Sequence, residues 1–408
     1  MPVNAPPCTQ DDFSLASQKK ETYLALLVLI LTGLNMRPLL TSIGPLLPQL
    51  RQAGDMSFTS ASLLTVLPVM AMGVLALAGG WIGRYISERK NVVLSLLLIA
   101  AGALLREIAP RSGLLLSSAI VGGIGIGIIQ AVIPARIKRQ FSKRTSQVMG
   151  VWSAALMGGG GLGAVLTPWL AGHSDVWYHA LAWWAVPAIV AIAAWGFHRE
   201  RPAPVRLATA RSSHVRLHMT TRAWVLGLYF GLFNGGYASL ITWLPPYYMQ
   251  LGYGIQFSGN LLAIMIAGQT FGALLLPMLS RHQDRRGLLL CALVLQLIGF
   301  CGFIWLPRQL PLLWGTLCGI GLGGIFPLSL VLALDHASDP AIARRLVAFM
   351  QGIGFLIAAI SPFLSGLMRS LSGDYLLGWA FHAGCIIGLM LLTRRFAPAA
   401  FPAEWQIK

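Results

Sequence analysis

The chain has 408 residues, of which 56% are hydrophobic and only 11% are charged, and its mean hydropathy is +0.70. An ordinary soluble domain does not carry so much apolar surface, so these values exclude one and indicate a membrane protein. The formal net charge of +17 would also suit a nucleic-acid-binding protein. The basic residues alternate between loops, however, and this distribution argues against nucleic acid as a partner.

Apolar runs long enough, or nearly long enough, to cross a bilayer recur along the whole chain. A span needs roughly 20 residues, and because lipid offers no hydrogen bonds to the backbone, each span must be a helix. The sequence therefore predicts an all-α membrane protein with twelve transmembrane helices. The predicted helices are 23–47, 58–82, 91–108, 114–135, 148–170, 177–197, 223–248, 257–279, 287–306, 312–334, 346–367 and 375–392.

The alternation of the basic residues predicts the orientation of the protein. If the N-terminus is cytoplasmic, 24 of the 30 Lys and Arg residues fall in inner segments. Cytoplasmic loops of membrane proteins carry this excess, so both termini are expected in the cytoplasm, with the basic charge near the inner leaflet of the bilayer. No cleaved signal peptide is expected, because about twenty mostly polar residues precede the first apolar run. Five arginines are assigned to outer loops: Arg51, Arg106, Arg111, Arg308 and Arg369.

A basic connection over residues 198–222 divides the chain into two nearly equal parts. The predicted organisation is an N-terminal tail (1–22), a six-helix bundle (23–197), the linker (198–222), a second bundle (223–393) and a C-terminal tail (394–408). GIGIG at 123–127 matches GIGLG at 319–323, and TPWLAG at 167–172 matches SPFLSG at 361–366. These matches predict two pseudo-symmetric bundles, with a solute site near the midplane between them.

Arg37 is the charged residue that the hydropathy pattern places inside an apolar segment. A cation at the centre of a bilayer costs roughly 2.5–3.5 kcal/mol on insertion scales, so it should face a wet cavity or meet an anion. Pro38 follows it and should distort the helix, because proline lacks a backbone donor and restricts the preceding residue. Thr41 shares the face of Arg37. The alternative is a structural arginine bonded to carbonyls of a neighbouring helix.

Other polar side chains within the predicted helices are candidates for contacts to the solute. The alternative for each is a hydrogen bond between helices, which is worth about 1 kcal/mol or less. Pro245 and Pro246 should end or bend their helix. The candidate binding residues are Arg37, Asn35, Thr41, Asn234, Tyr237, Gln269 and Gln351, and the candidate gate or secondary residues are Gln130, Trp152, Trp243 and Phe326.

Motifs for cofactors and catalysis are not expected to operate in this chain. The glycines at 158, 160 and 163 satisfy GxGxxG, but they lie in an apolar helix and not in the strand–turn–helix unit that binds dinucleotides. The five cysteines lack the spacing of a metal site. The sequence contains neither a Walker motif nor HExxH. No cofactor, no metal and no enzymatic activity are therefore predicted.

Several motifs carry a family resemblance that covers nearly the whole chain. The run GLNMRPLLTS at 33–42, followed by GPLLP at 44–48, resembles the cyanate transporter family of the major facilitators. Further matches are GIIQA at 127–131, WSAALM at 152–157, NGGYASL at 234–240 and AFMQG at 348–352. The resemblance implies a twelve-helix fold, location in a bacterial inner membrane, and transport of cyanate or a related small polar solute.

One motif departs from the wider superfamily. Its loop between helices 2 and 3 carries an Asp in a G-x-x-x-D-R-x-G-R-R pattern, whereas this chain has Arg84 at that position. Glu88 or Asp284 is expected to replace the missing carboxylate in the inner charge latch.

The sequence thus favours a secondary transporter that moves a small anion, with cyanate as the cargo that the resemblance implies. Protons or a counter-anion are possible coupling partners, and the protein is expected to be a monomer. Two alternatives stay open: export of a neutral heteroaromatic such as a nitroimidazole, and a membrane receptor or assembly subunit that transports nothing.

Overall fold

A computed structural model describes residues 10–82, 87–108, 112–141, 145–174, 176–197, 217–280, 284–337 and 340–401. Most of the predicted linker and the ends of both predicted tails lie outside these residues. Within them the chain forms fifteen α-helices: α1 (Gln10–Leu34), α2 (Pro38–Thr41), α3 (Ile43–Gly54), α4 (Phe58–Ile82), α5 (Glu88–Ile108), α6 (Ser112–Gln140), α7 (Thr145–Gly172), α8 (His179–Ala182), α9 (Ala185–Phe197), α10 (Thr221–Gln250), α11 (Ile255–Met278), α12 (Arg286–Trp305), α13 (Pro311–Asp335), α14 (Pro340–Ser372) and α15 (Leu376–Thr393).

Twelve helical spans in the described residues are long and apolar enough to cross a membrane, which confirms the predicted all-α architecture. The bounds differ in places. The eleventh helix, α14, extends from Pro340 to Ser372, beyond the predicted 346–367 at both ends. The sixth span is divided into α8 and α9. We refer to the spans before the linker as the first half and those after it as the second half.

The first span is broken where Arg37 and Pro38 meet. Helix α1 ends at Leu34, and the single turn α2 begins at Pro38. Proline has no N–H group, so it cannot donate to the Leu34 carbonyl as a helical residue would. The amides of Asn35 and Met36 instead bond to carbonyls only three residues back, at 3.3 and 3.1 Å. The predicted distortion is confirmed.

At the second proline site, an end or a bend of the helix was predicted. Helix α10 continues through Pro245 and Pro246 to Gln250, so the helix does not end there. A Cβ atom placed on Gly44 would lie 3.3 Å from Cγ of Pro245 and 2.6 Å from the Ile241 carbonyl oxygen. Gly44 therefore lets α3 pack closely on this part of α10. Such packing supports a proline within a membrane helix, because neighbouring helices compensate for the lost bond.

The same pairs of helices pack in the two halves. In the first half α6 packs on α4 and α5, and in the second half α13 packs on α11 and α12. Likewise, α1 packs on α7 as α10 packs on α14, and α5 packs on α9 as α12 packs on α15. This repeated pattern is what an internal duplication would produce.

The matched glycine runs lie at corresponding helix contacts. A Cβ atom on Gly125 of α6 would lie 2.4 Å from the Ser95 carbonyl oxygen, and one on Gly321 of α13 would lie 2.3 Å from the Ala292 carbonyl oxygen. No side chain fits at such distances, so glycine is required at both positions. Small residues allow this close approach of backbones in membrane helices.

The largest contacts between the two halves are those of α4 with α14, α7 with α11, and α3 with α10. Gly73 of α4 lies against Gly352 of α14, where an added Cβ would approach a carbonyl oxygen to 2.9 Å. Next to the α3–α10 contact, the hydroxyls of Thr65 and Thr242 lie 3.0 Å apart. A central cavity lies between the two halves, lined from α2, α4, α10 and α14.

Candidate functional site

The central cavity lies where α2 and α4 of the first half face α10 and α14 of the second half. It is narrow in this conformation, with room for about one water-sized molecule. Most of its wall is apolar, and its polar side chains are few, as in sites that bind small ligands. The lining residues are Arg37, Leu40, Thr65, Val69, Met72, Asn234, Tyr237, Ala238, Ile241, Phe355 and Ala358.

Arg37 enters this cavity from the break in the first span. The residue is only 5% exposed, and its guanidinium carbon lies 4.7 Å from the centroid of the Tyr237 ring. A cation over an aromatic face is attracted by the ring and held in position. The Nε atom of Arg37 and the hydroxyl of Tyr237 have no hydrogen-bond partner among the described residues. Each half therefore contributes one of these polar side chains to the cavity, and each side chain has a donor that is not hydrogen-bonded within the described part of the chain.

Asn234 lies one turn before Tyr237 on α10 and lines the same cavity, as their spacing predicted. Its amide nitrogen donates to the Phe230 carbonyl at 2.9 Å, which fixes the side chain. This bond uses the amide nitrogen of Asn234 and leaves its amide oxygen as an acceptor. The polar set of the cavity is therefore Arg37, Asn234, Tyr237 and Thr65.

Thr41 supports the Arg37 backbone and is not among the lining residues. Its hydroxyl donates to the Arg37 carbonyl at 3.2 Å, and its methyl group faces Gly160 of α7. Asn35 points elsewhere: its amide nitrogen donates to Leu31 at 2.8 Å and to Pro187 of α9 at 3.1 Å. The structure therefore does not bring Asn35 together with Arg37.

The glycine run of α7, which matches a dinucleotide-binding motif in sequence, allows close packing of the first span. An added Cβ atom would lie 2.1 Å from the Leu34 carbonyl oxygen at Gly159, 3.2 Å from the Arg37 Cβ at Gly160, and 2.9 Å from the Pro38 Cα at Gly163. The broken part of the first span thus lies directly on a face of α7 without side chains.

Four predicted polar candidates are buried but do not line the cavity. These residues are 3–8% exposed. Among the described residues, Gln269 Oε1, the Trp152 indole nitrogen and both amide atoms of Gln130 have no hydrogen-bond partner. Buried polar atoms are usually paired, so these groups have unused bonding capacity. The four residues are Gln130, Trp152, Gln269 and Gln351.

The remaining two candidates pack within the second half. The indole nitrogen of Trp243 donates to the Pro362 carbonyl at 2.9 Å, and its ring lies 6.0 Å from that of Tyr375. The Phe326 ring lies 5.7 Å from the Phe230 ring. Neither residue lines the cavity. These contacts are those of core aromatic residues.

Comparisons with known proteins agree with this geometry. The family model of the Major Facilitator Superfamily matches residues 25–362. The chain belongs to the Major Facilitator Superfamily. It is 64% identical to the cyanate transport protein CynX of Escherichia coli K12, over 93% of this chain and 99% of that protein. The family resemblance stated from the motifs is therefore confirmed.

Two further known proteins are similar to this chain. A 2-nitroimidazole transporter of the same bacterium is 27% identical over 89% of this chain and 92% of that protein. The inward open structure of the xylose transporter XylE from E. coli matches with a TM-score of 0.74 and 15% identity, covering 94% of this chain and 99% of that one. The latter match shows the fold alone. Together with the twelve spans, the family identifies a multi-pass inner-membrane protein.

The two carboxylates expected to serve in the inner charge latch do not line the cavity. Arg84, which replaces the superfamily Asp, lies outside the described residues. Glu88, at the start of α5, pairs with Arg139 and lies 3.8 Å from Arg136, both on α6. Asp284 pairs with Arg286, two residues along the chain. Neither of these pairings joins the two halves, and no Asp or Glu lines the described cavity.

The position of Arg106 differs from the prediction. It was assigned to an outer loop, but it lies in the last turn of α5 and is only 2% exposed. Its guanidinium group donates to the Leu39 carbonyl at 3.0 Å and to the Ser118 hydroxyl at 3.1 Å. Arg37 is therefore not the sole arginine buried in an apolar segment. The signal available in the sequence was the position of Arg106 inside the third apolar run.

Proposed function

We propose that this facilitator is a secondary transporter that carries cyanate across the inner membrane by alternating access. The observation that carries the proposal is the Arg37 guanidinium, which is buried in a cavity between the two halves with no carboxylate lining that cavity. The 64% identity to the cyanate transport protein of E. coli supports the same cargo. The protein is proposed to act without enzymatic chemistry, as a monomer, with both termini in the cytoplasm.

The cavity offers a small anion one charge and a few donors. An anion beside Arg37 would accept from the free Nε–H and from the hydroxyl of Tyr237, so both unpartnered groups would be bonded. Asn234 would bound the site on the same face of α10. Because the surrounding wall is apolar, the attraction between guanidinium and anion would be screened less than in water.

The charge of the cargo limits how its transport can be driven. An inside-negative potential opposes the entry of an anion by roughly 2.3 kcal/mol per 100 mV. No Asp or Glu lines the described cavity to carry a proton beside the anion. Efflux, exchange against a second anion and passage of the neutral acid all fit this residue set, and each predicts a different response of the flux to voltage and pH.

A second candidate is export of a neutral heteroaromatic solute. The 27% identity to a 2-nitroimidazole transporter favours it, as do two aromatic rings in the cavity wall, those of Tyr237 and Phe355. In this alternative the ring of Tyr237 stacks on the solute and the charge of Arg37 is not required for binding.

Purified protein in liposomes, supplied with labelled cyanate under imposed voltage and pH gradients, tests the proposal. We expect wild-type uptake that Arg37→Gln abolishes almost completely and Arg37→Lys restores in part. Arg308→Gln is the matched control, because Arg308 is exposed in an outer connection. Cyanate flux that survives Arg37→Gln would contradict an anion site at this residue. Labelled 2-nitroimidazole moved equally by both proteins would support the alternative, and no flux of either solute would favour a receptor.

A further inference from the structure

The break that places Arg37 in the cavity leaves a segment that cannot hold its shape alone. Helix α2 has four residues, and isolated helices shorter than about 12–15 residues are marginal in water. The backbone of Asn35 and Met36 before it forms only short-range turns. The direction in which Arg37 points therefore depends on what packs around α2.

On one side, α7 and α6 enclose α2 through residues without side chains. Gly160 and Gly163 of α7 lie against Arg37 and Pro38. A Cβ atom on Gly122 of α6 would lie 2.1 Å from Cδ2 of Leu39, so the Leu39 side chain fills the space above that glycine. These contacts are apolar and limit only how closely α2 can approach.

Directional bonds to α2 come from Arg106. Its NH2 donates to the Leu39 carbonyl at 3.0 Å, its NH1 lies 3.5 Å from the Ser42 hydroxyl, and its Nε donates to Ser118 of α6 at 3.1 Å. One guanidinium group thus connects α5, α6 and the two ends of the short segment 39–42. The planar fork of arginine suits such a set of bonds because its donors are fixed relative to one another.

Arg106 makes these bonds at a substantial energetic cost. It is 2% exposed, and the ion pairs found among the described residues do not include it. Its neighbour Glu107 pairs instead with His179. A buried cation bonded only to neutral acceptors is a poor choice for stability, since an apolar side chain of similar volume is often as stable or more so. These bonds point to a positional role for Arg106.

We propose that Arg106 is a positioning residue that fixes the broken segment of the first span, through the Leu39 carbonyl, and so directs Arg37 at the solute. The inference rests on the proposed function for its effect on transport, but its effect on the segment itself does not. Arg106 does not contact the cavity and would not touch the cargo.

Hydrogen exchange of the purified full-length protein tests the positional claim without any substrate. In Arg106→Gln we expect amides 39–43 to exchange at least ten-fold faster than in the wild type, with α12 unchanged. Arg106→Lys should behave in the same way, because a lysine keeps the charge but cannot reach Leu39 and Ser118 together. Ser118→Ala, which keeps Arg106, should give a smaller increase. Arg308→Gln is the exposed-arginine control.

Transport by the same proteins in liposomes gives the functional arm. We expect Arg106→Gln to raise the KM for cyanate about ten-fold while the maximal rate stays within about three-fold, because fewer molecules present Arg37 in the binding orientation. Unchanged exchange over 39–43 in Arg106→Gln and Ser118→Ala would overturn the proposal, as would full rescue of exchange and KM by lysine. If the wild type moves no cyanate, the proposed function fails, and the exchange result alone decides the role of Arg106.

Discussion

The hydroxyls of Thr65 and Thr242 share a hydrogen bond, 3.0 Å long, between α4 of the first half and α10 of the second. Both threonines are at most 1% exposed, and Thr65 also lines the central cavity. In the proposed orientation, with the termini in the cytoplasm, both would lie in the outer part of the membrane. We therefore expect this bond to break when the cavity opens to the outside.

Removing this bond should favour the outward-open state. A hydrogen bond contributes about 0.5–1.5 kcal/mol net, so Thr242→Val should raise the outward-open fraction by roughly two- to ten-fold. The measurement is the rate at which an impermeant maleimide labels Leu40→Cys from the outer side. Thr65→Val should have the same effect, and the double variant should add little to either. Additive effects would show that the two hydroxyls act separately.

Neighbouring glycines of α7 allow a matched test of the close approach to the first span. A Cβ atom on Gly159 would lie 2.1 Å from the Leu34 carbonyl oxygen, whereas one on Gly158 would meet no atom within 4 Å. We expect Gly159→Ala to lower the melting temperature and the transport rate sharply. Gly158→Ala should leave both unchanged or raise the melting temperature slightly, because alanine favours helix by up to about 1 kcal/mol over glycine. Equal effects of the two substitutions would contradict the described packing.

Tyr237 is expected to act through both its ring and its hydroxyl. Tyr237→Phe removes only the unpartnered hydroxyl, so the KM for cyanate should rise by a few-fold. Tyr237→Leu also removes the ring below Arg37, a contact worth about 0.5–2 kcal/mol, and should raise the KM further. Tyr229→Phe is the control, because that hydroxyl bonds to Thr393 away from the cavity. A drug exporter would instead lose 2-nitroimidazole flux in Tyr237→Leu alone.

His336 makes stability depend on pH. Burial, and to a lesser degree the charge of Arg222, lower the pKa of His336 from 6.5 to about 4, although its bond to the Leu332 carbonyl opposes the shift. Between these values the unfolded chain binds more protons than the folded one, so stability is lost as the pH falls from about 6.5 towards 4. The melting temperature should therefore fall between pH 7.5 and 5, and fall less in His336→Gln. Parallel pH profiles for the two proteins would contradict this role.

The break in the first span could be predicted because its cause is local. Pro38 lacks an N–H group and constrains Arg37 whatever surrounds them, so the distortion is visible in two adjacent letters. The same reasoning predicted that α10 ends or bends at Pro245 and Pro246, and the helix does not end there. There the outcome depends on α3, which packs on this part of α10 through Gly44, and a single sequence does not show that contact.

The positions of some polar residues of the site could be predicted from the sequence, and those of others could not. Asn234 and Tyr237 share a helix face by spacing alone, so their meeting in the cavity was predictable. Asn35 was not, because the break turns it towards Pro187 of α9. Arg106 was missed because it stands near the end of an apolar run, where a charged residue usually lies in water. Its burial depends on α2 and α6, which come together only in the folded chain.

Two ion-paired sites at corresponding helix ends have opposite polarity in the two halves. Glu88 on α5 faces Arg136 and Arg139 on α6, and Arg285 before α12 donates to Asp335 on α13 at 3.1 Å. Each of these bridges joins two helices of the same half and does not connect the halves. Separating the halves at these ends would therefore break neither of the two bridges.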